Sequence, residues 1–306
     1  MKAISTKRVA VFGATGTAGQ GAVRALKAAG HDVTCVGRST GDTIADVTQP
    51  LHIAGAFDVV VSCLASRTGA PADAWAIDHE AQLNILNWAK GVGVAQFILL
   101  SAICVQKPEL PFQHAKLAFE KALIGSGLIY SIVRPTAFFK SLSGQIDRVR
   151  AGKPFLVFGD GTLTACKPIS DDDLGRYIAG CIGDADRHNQ ILPIGGPGAA
   201  ITPLDQVKAL SDLLGRPVQI KRVPVAMISA IYHGLRMVGL VSRKAAAKAE
   251  LARIGRYYAT ESMLVWDGQR YDADATPSTG TETLFDYYAD VIARDASVQR
   301  GDHSVF

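Results

Sequence analysis

The 306-residue sequence lacks the features that mark a membrane-spanning or metal-binding chain. No uncharged apolar run reaches the roughly 18 residues that a spanning helix needs. The nearest candidate, Val223 to Val241, contains Pro224, His233 and Arg236. The five cysteines are widely spaced and form no C-x-x-C pair, so a zinc or iron–sulfur site has no support and reduced thiols are expected.

The sequence also lacks a strong excess of one charge. Lys and Arg number 32 against 28 Asp and Glu, and no dense basic run occurs, so nucleic-acid binding is not indicated. Hydrophobic residues make up 48%, which is typical of a globular chain long enough to bury a core. The first strand begins near Arg8, which leaves no room for a signal or transit peptide, so a cytoplasmic protein is expected. Nothing in the sequence indicates an oligomeric state.

Apolar runs and helical patterns alternate along the first half of the chain. Val9 to Phe12 reads as a strand, a helical pattern follows from about Thr17 to Ala29, and Asp32 to Gly37 reads as a second strand. This order, within about 30 residues, is a βαβ unit. The remaining strands and helices of this half are predicted at 58–64, 73–90, 96–101, 112–126 and 128–134. The alternation predicts an α/β fold with a doubly wound parallel sheet of the Rossmann type.

The pattern becomes less regular after about residue 140. A short strand is predicted at Phe155 to Phe158, and Thr202 followed by Pro203 predicts a helix start. We therefore expect a cofactor-binding domain over residues 1–155 and a smaller C-terminal α+β substrate domain over 156–306. Residues 166–183 are a candidate to pack back on the first domain.

Three glycines follow the first strand at the spacing G-x-x-G-x-x-G: Gly13, Gly16 and Gly19. Glycines let a backbone approach a phosphate closely, and the N-terminus of the following helix favours its negative charge. A random turn is the alternative, but the position between a strand and a helix is the one that dinucleotide binding requires.

The end of the second strand distinguishes the two nicotinamide cofactors. An acidic residue there binds free ribose hydroxyls, whereas an arginine binds a 2′-phosphate. Arg38 stands at this position and its guanidinium suits a phosphate, so NADPH is predicted. The alternative is a surface arginine, with Asp42 or Asp46 serving another purpose. Asp46 and Val47 are expected beside the adenine.

Two positions resemble the short-chain dehydrogenase/reductase superfamily, whose members commonly carry a serine after the fifth strand and Tyr-x-x-x-Lys on the next helix. Ser101 and Lys116 match, but the tyrosine position holds Phe112, which has no proton to donate. The departure indicates the atypical, extended branch. Lys116 is expected to bind the nicotinamide ribose and to act in catalysis with Ser101; the alternative is an exposed lysine paired with Glu120 at i+4.

Longer segments resemble the NADPH-dependent divinyl chlorophyllide 8-vinyl reductases that lack iron–sulfur clusters. The resemblance runs from about residue 8 to the end and is carried by Ser101–Pro108, Ser131–Ser141, Phe158–Gly161, Ala165–Ser170, Leu192–Gly198, Ile254–Ala259 and Glu261–Leu264. Plant members carry a transit peptide, so this chain resembles a form from a photosynthetic bacterium.

The resemblance implies reduction of the C8 vinyl group of a tetrapyrrole to ethyl, in chlorophyll or bacteriochlorophyll biosynthesis. Hydride added to the terminal vinyl carbon leaves a charge spread over the macrocycle, and a proton at the inner carbon completes the ethyl group. Lys116, Tyr257, Tyr258 and water are the candidate proton donors. The residues expected to contact NADPH are Gly13, Thr15, Gly16, Thr17, Ala18, Gly19, Arg38, Asp46, Val47, Leu64, Ala65, Lys116 and Pro135.

A flat apolar substrate requires a wide apolar cleft. The residues expected to line it are Cys104, Phe112, Phe138, Phe139, Tyr257 and Tyr258. The alternative for Phe138 and Phe139 is a place in the hydrophobic core, where adjacent aromatic residues are found just as often. The Val223–Val241 segment, flanked by basic residues, is either a core helix of the second domain or a contact with a membrane that carries pigment synthesis. Two other functions stay open: a reductase of a smaller apolar substrate or quinone, and a non-catalytic NADP(H)-sensing regulator.

Overall fold

The computed structural model describes residues 5–240 and 242–294, which divide into two compact units. The first unit contains the described parts of Met1–Ser66, Pro71–Pro135 and Asp171–Ile194. The second contains the described parts of Arg67–Ala70, Thr136–Ser170 and Gly195–Phe306. The chain therefore crosses between the two units several times, whereas one boundary near residue 155 was expected from the sequence.

The strands in chain order are β1 Arg8–Phe12, β2 Asp32–Gly37, β3 Thr43–Ile44, β4 Val59–Ser62, β5 Gln96–Leu100, β6 Ile129–Pro135, β7 Phe155–Phe158, β8 Gln190–Ile194, β9 Ile220–Val223, β10 Val265–Trp266 and β11 Tyr271–Asp272. The helices are α1 Thr17–Ala28, α2 Pro71–Ala74, α3 Gln82–Gly91, α4 Pro111–Ile124, α5 Phe139–Leu142, α6 Ile146–Arg150, α7 Asp171–Ala179, α8 Pro203–Leu214, α9 Val225–Gly239, α10 Arg243–Thr260 and α11 Leu284–Ala293. A π-helical segment, Trp75–Ala81, joins α2 to α3.

The first unit is built on a seven-stranded parallel sheet in the order β3-β2-β1-β4-β5-β6-β8. The order reverses direction at β1, as in doubly wound dinucleotide-binding folds. The central strands β4 and β5 are buried along their whole length, which explains the apolar runs Val59–Val61 and Phe97–Leu100 within them. The predicted fold class is confirmed.

Aromatic side chains fill the core of the first unit. The Trp88 ring lies 5.7 Å from Phe12 and 5.5 Å from Phe57, edge to face in both cases. Phe97 packs on Phe119 of α4 at 5.9 Å. These contacts hold α3 and α4 against the sheet, so the carboxyl ends of its strands have fixed positions.

The edge strand β8 was not predicted. It contains Pro193, which cannot donate a ladder hydrogen bond, and its first residues, Gln190 and Ile191, are exposed. Proline is tolerated at a sheet edge, where only one side of the strand is paired. A weakly apolar strand interrupted by proline carries no strand pattern that can be read from the sequence.

The second unit has a core of its own, in which Tyr288 of α11 is fully buried. The Tyr288 hydroxyl donates to the Leu142 carbonyl at 2.7 Å, and burial raises the pKa of this phenol well above its usual value. Helix α8 begins as predicted: Thr202 caps it, Asp205 completes the capping box, and Pro203 is its first residue. Strands β7 and β9 pair in parallel, and β10 and β11 form an antiparallel pair.

Helices α1 and α7 of the first unit cross at two glycines. A Cβ on Gly21 would lie 2.1 Å from the Asp171 carbonyl oxygen, and one on Gly175 would lie 2.3 Å from the Gly21 carbonyl oxygen. Arg24 and Asp172 form an ion pair beside this contact at 2.6 Å. The two backbones therefore touch directly, and only glycine fits at the crossing.

The crossing predicts the effect of adding one methyl group. Gly21→Ala is expected to lower the free energy of unfolding by about 1–3 kcal/mol, because the added Cβ has to push two backbones apart. Gly91→Ala is the control, since a Cβ there meets nothing within 4 Å. Urea unfolding of both variants measures the difference, and a Gly21→Ala chain as stable as the parent would contradict the close contact.

Candidate cofactor and active site

The turn after β1 is closed by contacts that leave no room for side chains at two of its glycines. Gly13 has a φ of +75°, and a Cβ there would lie 2.7 Å from the backbone carbon of Cys63. A Cβ on Gly19 would lie 2.1 Å from the Gly13 carbonyl oxygen. The first and third glycines are therefore required by the fold of the turn and by the packing of α1.

The middle glycine has a different reason to be there. Gly16 is the N-cap of α1, and a Cβ on it would meet just one atom within 4 Å, at the ordinary distance of 3.5 Å. Helix α1 has no side-chain cap and no acidic residue in its first turn. The space over Gly16 is thus a cradle that a Cβ would fill, next to a helix N-terminus that attracts an anion. These residues fit a pyrophosphate.

Arg38 lies beside this turn at the end of β2, and the acidic residues that follow it, Asp42 and Asp46, already accept hydrogen bonds from other groups. Arg38 is exposed and follows β2, whose Val36 is level with Phe12 of β1. The Asp42 carboxylate accepts from the Cys35 N–H at 2.8 Å. Hydrogen bonds from Thr48 lower the pKa of Asp46, and the charge of Arg38 adds to this effect.

The other residues expected around the cofactor also lie in the first unit. Leu64 and Ala65 follow β4, where the Cys63 N–H donates to the Phe12 carbonyl at 2.9 Å. The Val47 carbonyl accepts from Asn84 at 2.9 Å. The remaining positions are on the glycine turn, at the start of α1, on α4 and at the end of β6: Thr15, Thr17, Ala18, Lys116 and Pro135.

Lys116 is not an exposed helical lysine. It is 9% exposed, and its Nζ lies 3.0 Å from Oδ1 of Asp78, whose side chain is fully buried. The alternative pairing with Glu120 does not occur, because Glu120 is occupied by other groups. Asp78 was missed in the sequence, although it falls four residues after Ala74 and four before Gln82 on one face of the predicted helix.

Ser101 belongs to a second buried polar cluster. Its hydroxyl donates to Glu120 Oε1 at 2.5 Å, and Arg134 forms an ion pair with the same carboxylate. The backbone N–H of Ser101 donates to the Val133 carbonyl at 2.8 Å. Every oxygen of Glu120 therefore has a partner, and the Ser101 hydroxyl is held by it. The catalytic role of Ser101 stays a prediction.

The residues expected to line a substrate pocket divide between the units. Cys104 and Phe112 are buried in the first unit, near the start of α4. In the second unit, Phe139 packs in the core with its ring 5.6 Å from that of Tyr287.

Tyr257 and Tyr258 are neighbours on α10 with rings 5.7 Å apart. Tyr257 is buried, whereas Tyr258 is exposed and Phe138 is half-buried. In the second unit, Phe138 and Tyr258 are thus the two of these aromatic rings that a ligand can reach.

The cysteine side chains have the environment of small packed groups and not that of reactive thiols. All five cysteines are free. Burial raises the pKa of Cys63, beside the glycine turn, to about 12, and it does the same for Cys166. Both side chains therefore stay protonated near neutral pH and behave as small apolar groups.

Comparison with known proteins agrees with this geometry. A family model described as NAD(P)H-binding matches residues 13–185. A divinyl chlorophyllide a 8-vinyl-reductase from Zea mays is 43% identical over 99% of this chain and 84% of its own length. One from Cucumis sativus is 50% identical over 82% of this chain and 62% of its own length.

Among solved structures, an NADPH-dependent quinone oxidoreductase from Escherichia coli, complexed with NADPH, superposes with a TM-score of 0.66 at 18% identity. It covers 93% of this chain and 99% of its own. This likeness concerns the fold. The sequence identity to the Zea mays protein extends over 99% of the chain and that to the Cucumis sativus protein over 82%, and the chain belongs to the divinyl chlorophyllide a 8-vinyl-reductase family.

Proposed function

We propose that the chain is an NADPH-dependent reductase that converts the C8 vinyl group of divinyl chlorophyllide or protochlorophyllide to ethyl. The observation that carries this proposal is the 43% identity to a named 8-vinyl-reductase over 99% of the chain. The glycine turn after β1 and Arg38 after β2 add an independent argument, because both are of the types that hold a phosphorylated dinucleotide.

The chemistry places modest demands on the protein. NADPH, when bound, supplies the hydride that the terminal vinyl carbon receives. A proton at the inner carbon then completes the ethyl group. Because the vinyl group is conjugated to the macrocycle, the developing negative charge is spread over many atoms and needs no strong acid beside it. Phe112, which cannot donate a proton, is compatible with such a substrate.

The chain's own residues have separate tasks in this proposal. The turn around Gly16 holds the pyrophosphate, and Arg38 binds the 2′-phosphate. Lys116 binds the nicotinamide ribose. Phe138 and Tyr258 are the aromatic residues of the second unit proposed to contact the macrocycle. Among the candidate proton donors, Tyr258 is exposed, whereas Lys116 and Tyr257 are buried.

We also propose a peripheral membrane contact through the surface of α9. Among the described helices, none is both long and apolar enough to span a bilayer. Helix α9 and the residue after it, Leu240, nevertheless leave large apolar side chains in solvent: Met237 is 69% and Leu240 79% exposed, and Met227, Ile231 and Val238 are also exposed. Val241, at the end of the segment predicted from sequence, lies outside the described residues.

Charge indicates which surface this apolar face fits. Helix α9 contains no acidic residue, and Lys221, Arg222 and Arg236 around it are exposed. The nearest carboxylate in sequence after it, Glu250, is paired with Arg253 at 3.8 Å. Exposed apolar side chains with basic residues on the same and the preceding element favour an anionic lipid surface, to which each basic residue contributes about 1 kcal/mol.

The reaction is tested by an anaerobic assay of the purified protein with NADPH and divinyl chlorophyllide. The expected result is a monovinyl pigment on chromatography with a blue-shifted Soret band, and no product when NADPH is omitted. Unchanged pigment from a protein that binds NADPH would contradict the proposal. It would favour a smaller apolar or quinone substrate, or a regulatory role.

The cofactor assignment predicts a selective effect of Arg38→Ala. Loss of charged hydrogen bonds to the 2′-phosphate is expected to raise the dissociation constant for NADPH about 10- to 100-fold and to leave that for NADH unchanged. Fluorescence titration with each cofactor measures this. Arg24→Ala, which removes an arginine paired with Asp172, is the control. Equal losses for both cofactors would show that Arg38 does not bind the phosphate.

The membrane contact predicts that the full chain sediments with vesicles containing phosphatidylglycerol and not with phosphatidylcholine alone. Met237→Glu combined with Val238→Glu is expected to abolish sedimentation, because two carboxylates enter the apolar face. Ile124→Glu, at an exposed apolar residue of α4, is the control. Unchanged vesicle binding by the double variant would contradict the assignment. A native mass of the double variant below that of the parent would also contradict it, because it would identify the face as a contact between two copies.

A further inference from the structure

Asp78 occupies an unusual piece of backbone. It lies in the π-helical segment Trp75–Ala81, which interrupts what the sequence predicts as one regular helix. Such segments insert an extra residue into a helical turn and frequently occur at functional sites. The Asp78 side chain is fully buried inside the first unit. A charged group in such a place requires an explanation, because burying a carboxylate is costly unless it is fully paired.

The carboxylate is paired on one side and not on the other. Oδ1 accepts from the Ser66 N–H at 3.3 Å and lies 3.0 Å from Lys116 Nζ. Oδ2 is buried and has no hydrogen-bond partner within the described part of the chain. The fold thus retains a half-satisfied carboxylate, an arrangement that stability alone does not favour.

The other buried carboxylate on this side of the sheet provides a contrast. Glu120 accepts from the Ser101 hydroxyl and from the Nε of Arg134 on Oε1, and it contacts the Arg134 guanidinium through Oε2. Both oxygens are used, as expected of a structural ion pair. Asp78 differs because its one strong partner is the cation that the proposed function places at the cofactor.

Lys116 has to find its polar partner outside its own helix. The residue four positions earlier, one turn away on α4, is Phe112, which offers no hydroxyl. Asp78 reaches Lys116 from the π-helical segment instead. An ion pair to a rigid buried carboxylate fixes the direction of a long, flexible side chain at little further entropic cost.

We propose that Asp78 is the positioning residue of Lys116: it holds the ammonium group where it donates to the nicotinamide ribose. This inference rests on the proposed role of Lys116 in binding NADPH. Since Oδ2 is enclosed by protein, Asp78 acts through Lys116 and does not touch the cofactor or the substrate. The replacement Asp78→Asn keeps the shape of the side chain and removes the charge that orients the lysine.

A double-mutant cycle on NADPH affinity tests the proposal without any tetrapyrrole. Asp78→Asn and Lys116→Ala are each expected to raise the dissociation constant for NADPH about tenfold. The double variant is expected to bind no more weakly than Lys116→Ala alone, because the lysine through which Asp78 acts is gone. Asp78→Glu, which keeps the charge, is expected to restore part of the affinity. Asp172→Asn, at the exposed pair with Arg24, is the control and should bind normally.

The outcomes separate this proposal from a purely structural role and from the reaction. If Asp78→Asn weakens binding equally in the parent and in the Lys116→Ala chain, Asp78 supports the fold and the proposal is overturned. Normal affinity of either single variant overturns it as well. Thermal unfolding of each variant shows whether the chain is intact. Failure of the parent protein to reduce divinyl chlorophyllide would reject the proposed reaction and leave the outcome of this cycle unaffected.

Discussion

The candidate cofactor site of the first unit depends on close contacts between backbone atoms around the glycine turn. Gly13 lies against the chain that leaves β4, and Gly19 lies against Gly13, both at distances that exclude a Cβ. The hydrogen bond from the Cys63 N–H to the Phe12 carbonyl closes the same region. These contacts set how closely α1 approaches the sheet. They therefore also set where its N-terminus points, which is the property that a phosphate site needs.

The sheet could be predicted because its central strands are buried on both faces. A run such as Val59–Val61 of β4 is wholly apolar, and its neighbours follow at the spacing of a βαβ unit. The edge strand β8 could not be predicted in this way, because one of its sides is unpaired and Pro193 is tolerated there. The division into two units could not be predicted either. Each unit is assembled from separate segments, and the contacts between those segments join residues that are far apart in sequence.

Candidate site residues could be named from the sequence where a residue type has a fixed place in a motif. Gly16 and Arg38 satisfy that condition and stay predictions, and the structure is consistent with each through the open space over Gly16 and the hydrogen-bonded carboxylate of Asp42 near Arg38. Asp78 does not satisfy it. Helical spacing puts Asp78 on the face of Ala74 and Gln82, but spacing along one helix does not show which residue of another helix lies opposite it. The contact between this carboxylate and Lys116 of α4 is therefore seen only in the folded chain.

The missing tyrosine connects the site to the kind of substrate that it can serve. A ketone collects the charge of an added hydride on one oxygen, which requires a proton donor within hydrogen-bond distance at that moment. Phe112 cannot supply one, and the hydroxyl of Ser101 is directed at Glu120. A vinyl group conjugated to a macrocycle removes the requirement, because no single atom carries the charge. With Lys116 held by a buried carboxylate and Phe112 one turn before it on α4, the first unit suits hydride addition to a conjugated carbon–carbon bond better than reduction of a carbonyl.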